Sequence, residues 1–202
     1  MTRLLPAVLL VLAFALSASL AMTEEVDEKA QAAELILLLK SKDSSVRVRA
    51  LEQAKLNQHS SLSSPLARLV SDKELGVRLG AIEALAARTE EKARRKAAST
   101  LASRLNRLSK TRGDQDELHL LIESLGTLGE TSGIKPLIDP IEVEMDMDEV
   151  KLRLQAVANV PHEKAVEALI DFLAKGRRSG RGPHRREANN ALRHLTGGNP
   201  RE

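Results

Sequence analysis

The sequence predicts an all-α protein, an α-solenoid of about five helical hairpins wound into a right-handed superhelix. Three observations predict it. A short phrase, small apolar residue then Arg then two spacers then Ala, returns at Val46-Arg47 to Ala50, Val77-Arg78 to Ala81, Leu152-Arg153 to Ala156 and His184-Arg185 to Ala188, with a degenerate copy at Leu118-His119 to Ile122. Its second position falls at 47, 78, 119, 153 and 185, so the spacings are 31, 41, 34 and 32 residues, the period of stacked helical hairpins. From Glu24 onward apolar residues recur at intervals of three and four, and no stretch shows the strict alternation of a strand.

The first segment reads as a leader. Arg3 precedes an apolar run from Leu4 to Leu16, and Ser19-Leu20-Ala21 stands before the acidic Thr23-Glu24-Glu25. That order predicts a signal peptide over 1–21, cleaved after Ala21, and an exported protein in the periplasm or outside the cell. Left uncut, the same run is long enough to anchor the chain, the only membrane contact expected. The repeat domain then covers 22–202, in units of about 26–60, 61–89, 90–129, 130–161 and 162–197.

Each unit reads as two helices. The first has Ala30, Ala33 and Leu37, a polar break from Ser41 to Ser45, and a second stretch from Val46 to about Gln58. In the second, Leu62 to Ser71 pairs with Leu75 to Arg88. The third joins Glu91 to Leu108 with Glu117 to Leu128 across Lys110-Thr111-Arg112-Gly113-Asp114. Beyond Gly129-Glu130-Thr131-Ser132-Gly133, the fourth joins Ile134 to about Val143 with Glu149 to Val160, and after Pro161 the fifth joins Lys164 to Lys175 with Arg185 to Leu195. Pro65 and Pro136 fall in matching first turns, where a missing N–H costs little. The recurring Ala50, Ala81, Ala156 and Ala188 suit close helix approach, about 8 to 10 Å between axes.

The segment VRLGAIEAL from Val77 to Leu85, preceded by Asp72, resembles the second helix of a HEAT repeat, and AVEALIDFLAK from Ala165 to Lys175 resembles the matching first helix. The nearest subtype is the short HEAT-like repeat of phycobilisome lyases and of secreted bacterial proteins, and the resemblance spans roughly Ala30 to Thr196. It implies that an Asp in the turn caps the second helix and that an Arg near its start reaches neighbouring turns. Only Asp72 and Arg78 keep the spacing of that pattern; Asp43 lies closer to Arg47, Asp114 and Asp148 are shifted, and Ser179 replaces the Asp in the fifth unit.

Composition narrows function. The 202 residues include no Cys, Trp or Tyr and two Phe, so disulfides, thiolate chemistry and aromatic stacking platforms are excluded. Cleavage would remove Arg3 and no acid, turning 31 basic residues into 30 against 28 acidic ones, a net charge of +2 that argues against a dedicated nucleic-acid binder. The five histidines show no metal-ligand spacing, and neither a nucleophile elbow nor a catalytic carboxylate pair is present. No cofactor, no metal site and no catalytic residue is expected.

What remains is surface for binding. Lys175 to Arg186 carries Arg177, Arg178, Arg181, Arg185 and Arg186 with three glycines, a cationic patch suited to an acidic protein or another polyanion. The arginines at 47, 78, 153 and 185 either form an anion-binding ladder or tie the turns of successive units together. A basic stretch from Lys92 to Arg112 matches a membrane-surface helix or the outer helix of a solenoid. The acidic turn Glu142 to Glu149 has no calcium-loop spacing and reads as a helix cap. The function expected is an exported, non-catalytic interaction or scaffold module with a protein partner. Its alternative, implied by the resemblance alone, is a phycobilin-lyase-like or chromophore-handling protein.

Overall fold

The computed structural model describes residues 27–111, 113–176 and 184–198. They form ten α-helices in five antiparallel pairs and no strand. Residues 1–26, which include the expected leader 1–21, and the centre of the Arg-rich stretch, 177–183, lie outside the described residues.

In chain order the helices are α1 (27–38) and α2 (Ser44–Leu56), α3 (Ser63–Leu69) and α4 (Leu75–Ala86), α5 (Glu91–Thr111) and α6 (Gln115–Leu128), α7 (Ile134–Ile138) and α8 (Met147–Ala158), and α9 (Glu163–Gly176) and α10 (Arg185–Thr196). Second helices pack in series, α2 on α4, α4 on α6, α6 on α8 and α8 on α10, while α3, α5, α7 and α9 form the other layer. One continuous apolar core runs from Ala32 to Ala191 through every unit. No single hairpin could bury enough apolar area to offset roughly 1 to 2 kcal/mol of conformational entropy per ordered residue, so stacking stabilises the whole. Among the described residues no helix is long and apolar enough to cross a membrane.

The starts of the helices have local causes. Asp43 caps α2 by accepting from the Ser45 N–H, Asp114 caps α6 through Glu117, and Asp146 caps α8 through Asp148 and Glu149. Glu90 caps α5, accepting from the N–H groups of Lys92 and Ala93 at 2.9 and 2.8 Å. One expectation is corrected. Asp72 is not the N-cap of α4: that residue is Glu74, without a side-chain bond, and Asp72 Oδ1 accepts from the Glu74 N–H at 3.0 Å while pairing with Arg47 of the preceding unit at 2.9 Å. The acidic turn does cap the next helix, through Asp146.

Pro65 and Pro136 are each the third residue of their short helices, α3 and α7. The latter helix ends at Ile138, well before the expected Val143, because Pro140 has no N–H to continue the ladder. Its neighbour in the same layer overshoots, since α5 runs to Thr111 rather than Leu108. Gly129 ends α6 in the left-handed region at φ 64°, whereas Gly126 lies within the helix. A Cβ on Gly126 would stand 3.0 Å from Ala156 Cα, so this glycine permits the crossing of α6 and α8.

Candidate functional site

The repeated arginines lie at three different registers. Arg47 stands four residues after its N-cap Asp43 and Arg78 four after Glu74, while Arg153 stands seven after Asp146. The first two behave alike: Arg47 donates to the carbonyls of Ser41 and Lys42 at 2.9 and 3.2 Å, and Arg78 to those of Asp72 and Lys73, both at 3.1 Å. Each thereby ties down the turn just before its own helix.

Arg153 does something else. It is 1% exposed, pairs with Glu149 at 2.8 Å, and reaches the carbonyls of Pro136 and Leu137 at 3.1 and 3.5 Å and the Ser109 hydroxyl at 3.3 Å. Pro136 O is the acceptor that residue 140 would have served in a longer α7; Pro140 offers no N–H, and the guanidinium takes its place. Arg185 falls directly after the N-cap His184, and its Nε is buried without a hydrogen-bond partner among the described residues. Arg186 is exposed and pairs with Glu187 at 3.1 Å. Arg177, Arg178 and Arg181 lie outside the described residues. Ala50, Ala81, Ala156 and Ala188 are all buried.

Sequence reasoning missed two buried charges. Glu117 is fully buried between Arg78, at 2.8 Å, and Arg104, at 2.5 Å, bridging the second and third units. Arg88 donates to the Asn57 carbonyl at 2.8 Å, to Ala54 O and to Ala84 O, so it closes the carbonyl end of α2 from the next unit. Burial pushes its guanidinium below the ordinary arginine value, with the Glu28 carboxylate pulling the other way.

Among the described residues the surface carries several depressions, two of which matter here. A cleft of about 800 Å³ opens where α7 stops short and α5 runs on. Its walls carry Asp139, Glu142, Glu144, Asp146 and Glu149 over an apolar floor that includes Leu118 and Met145. The cations there among the described residues are Lys110 and Arg153, and Arg153 is committed as above. Among the described residues Glu142 and Glu144 form no ion pair. A second groove, about 440 Å³ between α8 and α10, is lined by Gln155, Asn159, Asn190 and His194 above Leu154 and Ala158.

The second-helix face adds a row found only from the register of the caps. Glu52, Glu83 and Glu123 each stand nine residues after their N-caps. Lys55 bridges the first two; burial works against its charge, but the bonds to Glu83 and Glu52 outweigh it and hold the ammonium above the ordinary lysine value. Among the described residues no cluster of three or more His, Asp or Glu side chains could hold a metal ion.

No protein-family model matches the chain, and no curated protein matches it. Solved structures do. An engineered protein from a structural genomics consortium is 20% identical, with a TM-score of 0.57 over 88% of this chain and 84% of that one. A designed armadillo repeat protein, solved in complex with the peptide (KR)4, is 18% identical, with a TM-score of 0.55 over 85% and 84%. Another engineered protein from the same consortium is 20% identical, with a TM-score of 0.54 over 86% of this chain and 49% of that one. At these identities the likeness concerns the fold, and that fold is a helical repeat protein, an α-solenoid.

Proposed function

We propose that this chain is an exported, non-catalytic interaction module of HEAT-like type, and that it docks a basic, extended segment of a partner protein. One observation carries the reading: the 800 Å³ cleft beside α7 presents Asp139, Glu142, Glu144 and Asp146 in exposed positions, against Lys110 as the one uncommitted cation among the described residues. A cleft of that size admits a few side chains, and walls of a single sign favour a partner of the opposite sign. By fold analogy the designed armadillo neighbour, which holds a Lys-Arg peptide, is consistent with this.

The test is fluorescence polarisation with a labelled eight-residue Lys-Arg peptide. Binding that weakens with salt and is lost in Glu142→Gln/Glu144→Gln supports the proposal. Equal binding by that variant would overturn it. Export rests on the leader 1–21, and N-terminal sequencing of the extracytoplasmic protein should begin at Met22.

A second reading, an acidic partner held by Arg177, Arg178 and Arg181, draws on the charge of that stretch alone. Capture of such a partner from an extracytoplasmic extract should then fail when these three become Ser. The lyase-like alternative is not favoured, because Phe172, the one aromatic residue beyond the leader, is buried and lines neither depression.

A further inference from the structure

We infer that the outer face of the second and third units binds a linear sulfated polysaccharide along a stripe of cations on α3 and α5. This surface is distinct from the acidic cleft, so the two proposals stand or fall separately.

The stripe is set by helical spacing. Lys92, Lys96 and Arg107 follow one another on α5 at intervals of four and eleven residues, which repeat on one side of a 3.6-residue helix. Beside them, Ser64, Arg68 and Ser71 follow one another along the neighbouring helix and its end at intervals of four and three. Two bonds fix the register between the elements: Lys96 Nζ donates to Ser64 Oγ at 2.9 Å, and Arg107 Nη2 to Ser71 Oγ at 3.4 Å. The cations therefore share one ridge, spanning about 22 Å from Lys92 to Arg107 at 1.5 Å per residue.

These cations are available. Arg68, Lys92, Lys96 and Arg107 are all exposed, and none has a carboxylate at ion-pair distance among the described residues. The carboxylates on this side are already taken: Glu91 holds Arg95, Glu130 holds Arg94, and Glu117 holds Arg104. What Lys96 and Arg107 have instead are single neutral hydroxyls, which an anionic ester oxygen would readily replace with a charge-assisted bond.

The rest of the face selects the partner. A helix that lies on a membrane inserts apolar side chains, but every apolar residue of α5, from Ala93 through Leu101 to Leu108, is buried in the core. The residues between the cations on the exposed side are Ser99 and Ser103. Single-stranded nucleic acid would want aromatic platforms, and none is present. Cations interspersed with hydroxyls suit a polymer that carries both anionic esters and neutral hydroxyls, which describes a sulfated polysaccharide.

Heparin is the probe, with affinity followed against salt on the mature chain. The triple variant Arg68→Gln/Lys96→Gln/Arg107→Gln should bind about tenfold more weakly, and its slope of log K against log salt should be shallower by about 2, since three charges no longer release counterions. Arg177→Gln/Arg178→Gln/Arg181→Gln should change little, and Lys92→Glu alone should weaken binding without altering helicity. Wild-type affinity in the first triple variant would overturn the inference. So would single-stranded DNA or phosphatidylserine vesicles binding as tightly as heparin.

Discussion

The first two units and the fourth carry the same sequence phrase and use it differently. In the former, Arg47 and Arg78 sit at one register and bond carbonyls six and five residues back, as true copies do. In the latter the phrase has slid three residues along its helix, and Arg153 reaches carbonyls seventeen and sixteen residues back. Its position is set by an acceptor left open by Pro140. The lesson is that a repeated motif marks a repeat without fixing its register; the hydrogen-bond needs of neighbouring backbone decide that.

The contrast can be broken most severely at the seam between the regions. Glu117→Ala leaves Arg78 and Arg104 half-desolvated without their counterion, and urea unfolding should show a loss of about 3 to 5 kcal/mol. Glu117→Gln should recover part of it. Next comes the direct comparison: Arg153→Ala should cost about 3 kcal/mol, because it orphans two carbonyls as well as Glu149, Arg47→Ala about 1 to 2, and Arg185→Ala within about 0.5. Equal losses at 47 and 153 would erase the distinction.

Packing sharpens it further. Gly126→Ala pushes a methyl against the Ala156 backbone and should lower stability by about 1 to 3 kcal/mol. At Gly80 the obstacle is the Leu51 side chain, with Cδ1 at 3.1 Å, which can turn aside, and Cβ at 3.3 Å, which must give by a few tenths of an ångström. There a helix-propensity gain of about 1 kcal/mol should offset that crowding and leave the thermal midpoint of Gly80→Ala nearly unchanged. Ala81→Leu, in the same first region, should cost about 1 to 3 kcal/mol by overpacking.

The smallest effect is acid sensitivity of the caps. Asp43, bonded by the Ser45 side chain and N–H, and Glu90, bonded by the N–H groups of Lys92 and Ala93, both hold their carboxyls below the ordinary 3.8 and 4.5. A folded-state value below the unfolded one gives stability that is complete above the unfolded value and lost as pH falls through the folded one. Asp43→Asn and Glu90→Gln should each flatten the acid limb of the stability curve and leave the neutral region almost as it was.

Much of the architecture was legible. Periodicity, polar breaks and the two matched prolines located ten helices, because those signals act within one or two turns of the chain. The short α7 was legible too in principle, since Pro140 announces a stop that the apolar pattern to Val143 obscured. The charges inside were not. Glu117 looks like an ordinary N3 capping residue, and its partners lie 39 and 13 residues away. Arg88 reads as a polar helix end until the carbonyls of α2 arrive beside it. The cleft was equally hidden, for it comes from a mismatch of length between two helices that are adjacent only after stacking.

That mismatch has a consequence for engineering. The 21-residue α5, about 30 Å long, touches α3, α4, α6 and α7, so it acts as a splint across three units rather than as part of one. Arrays built from interchangeable bricks can be shortened or lengthened at will. Here the middle brick is mortared to both neighbours, and excising it would take the adjoining ones down with it, whereas truncation from the outer ends would be borne far better.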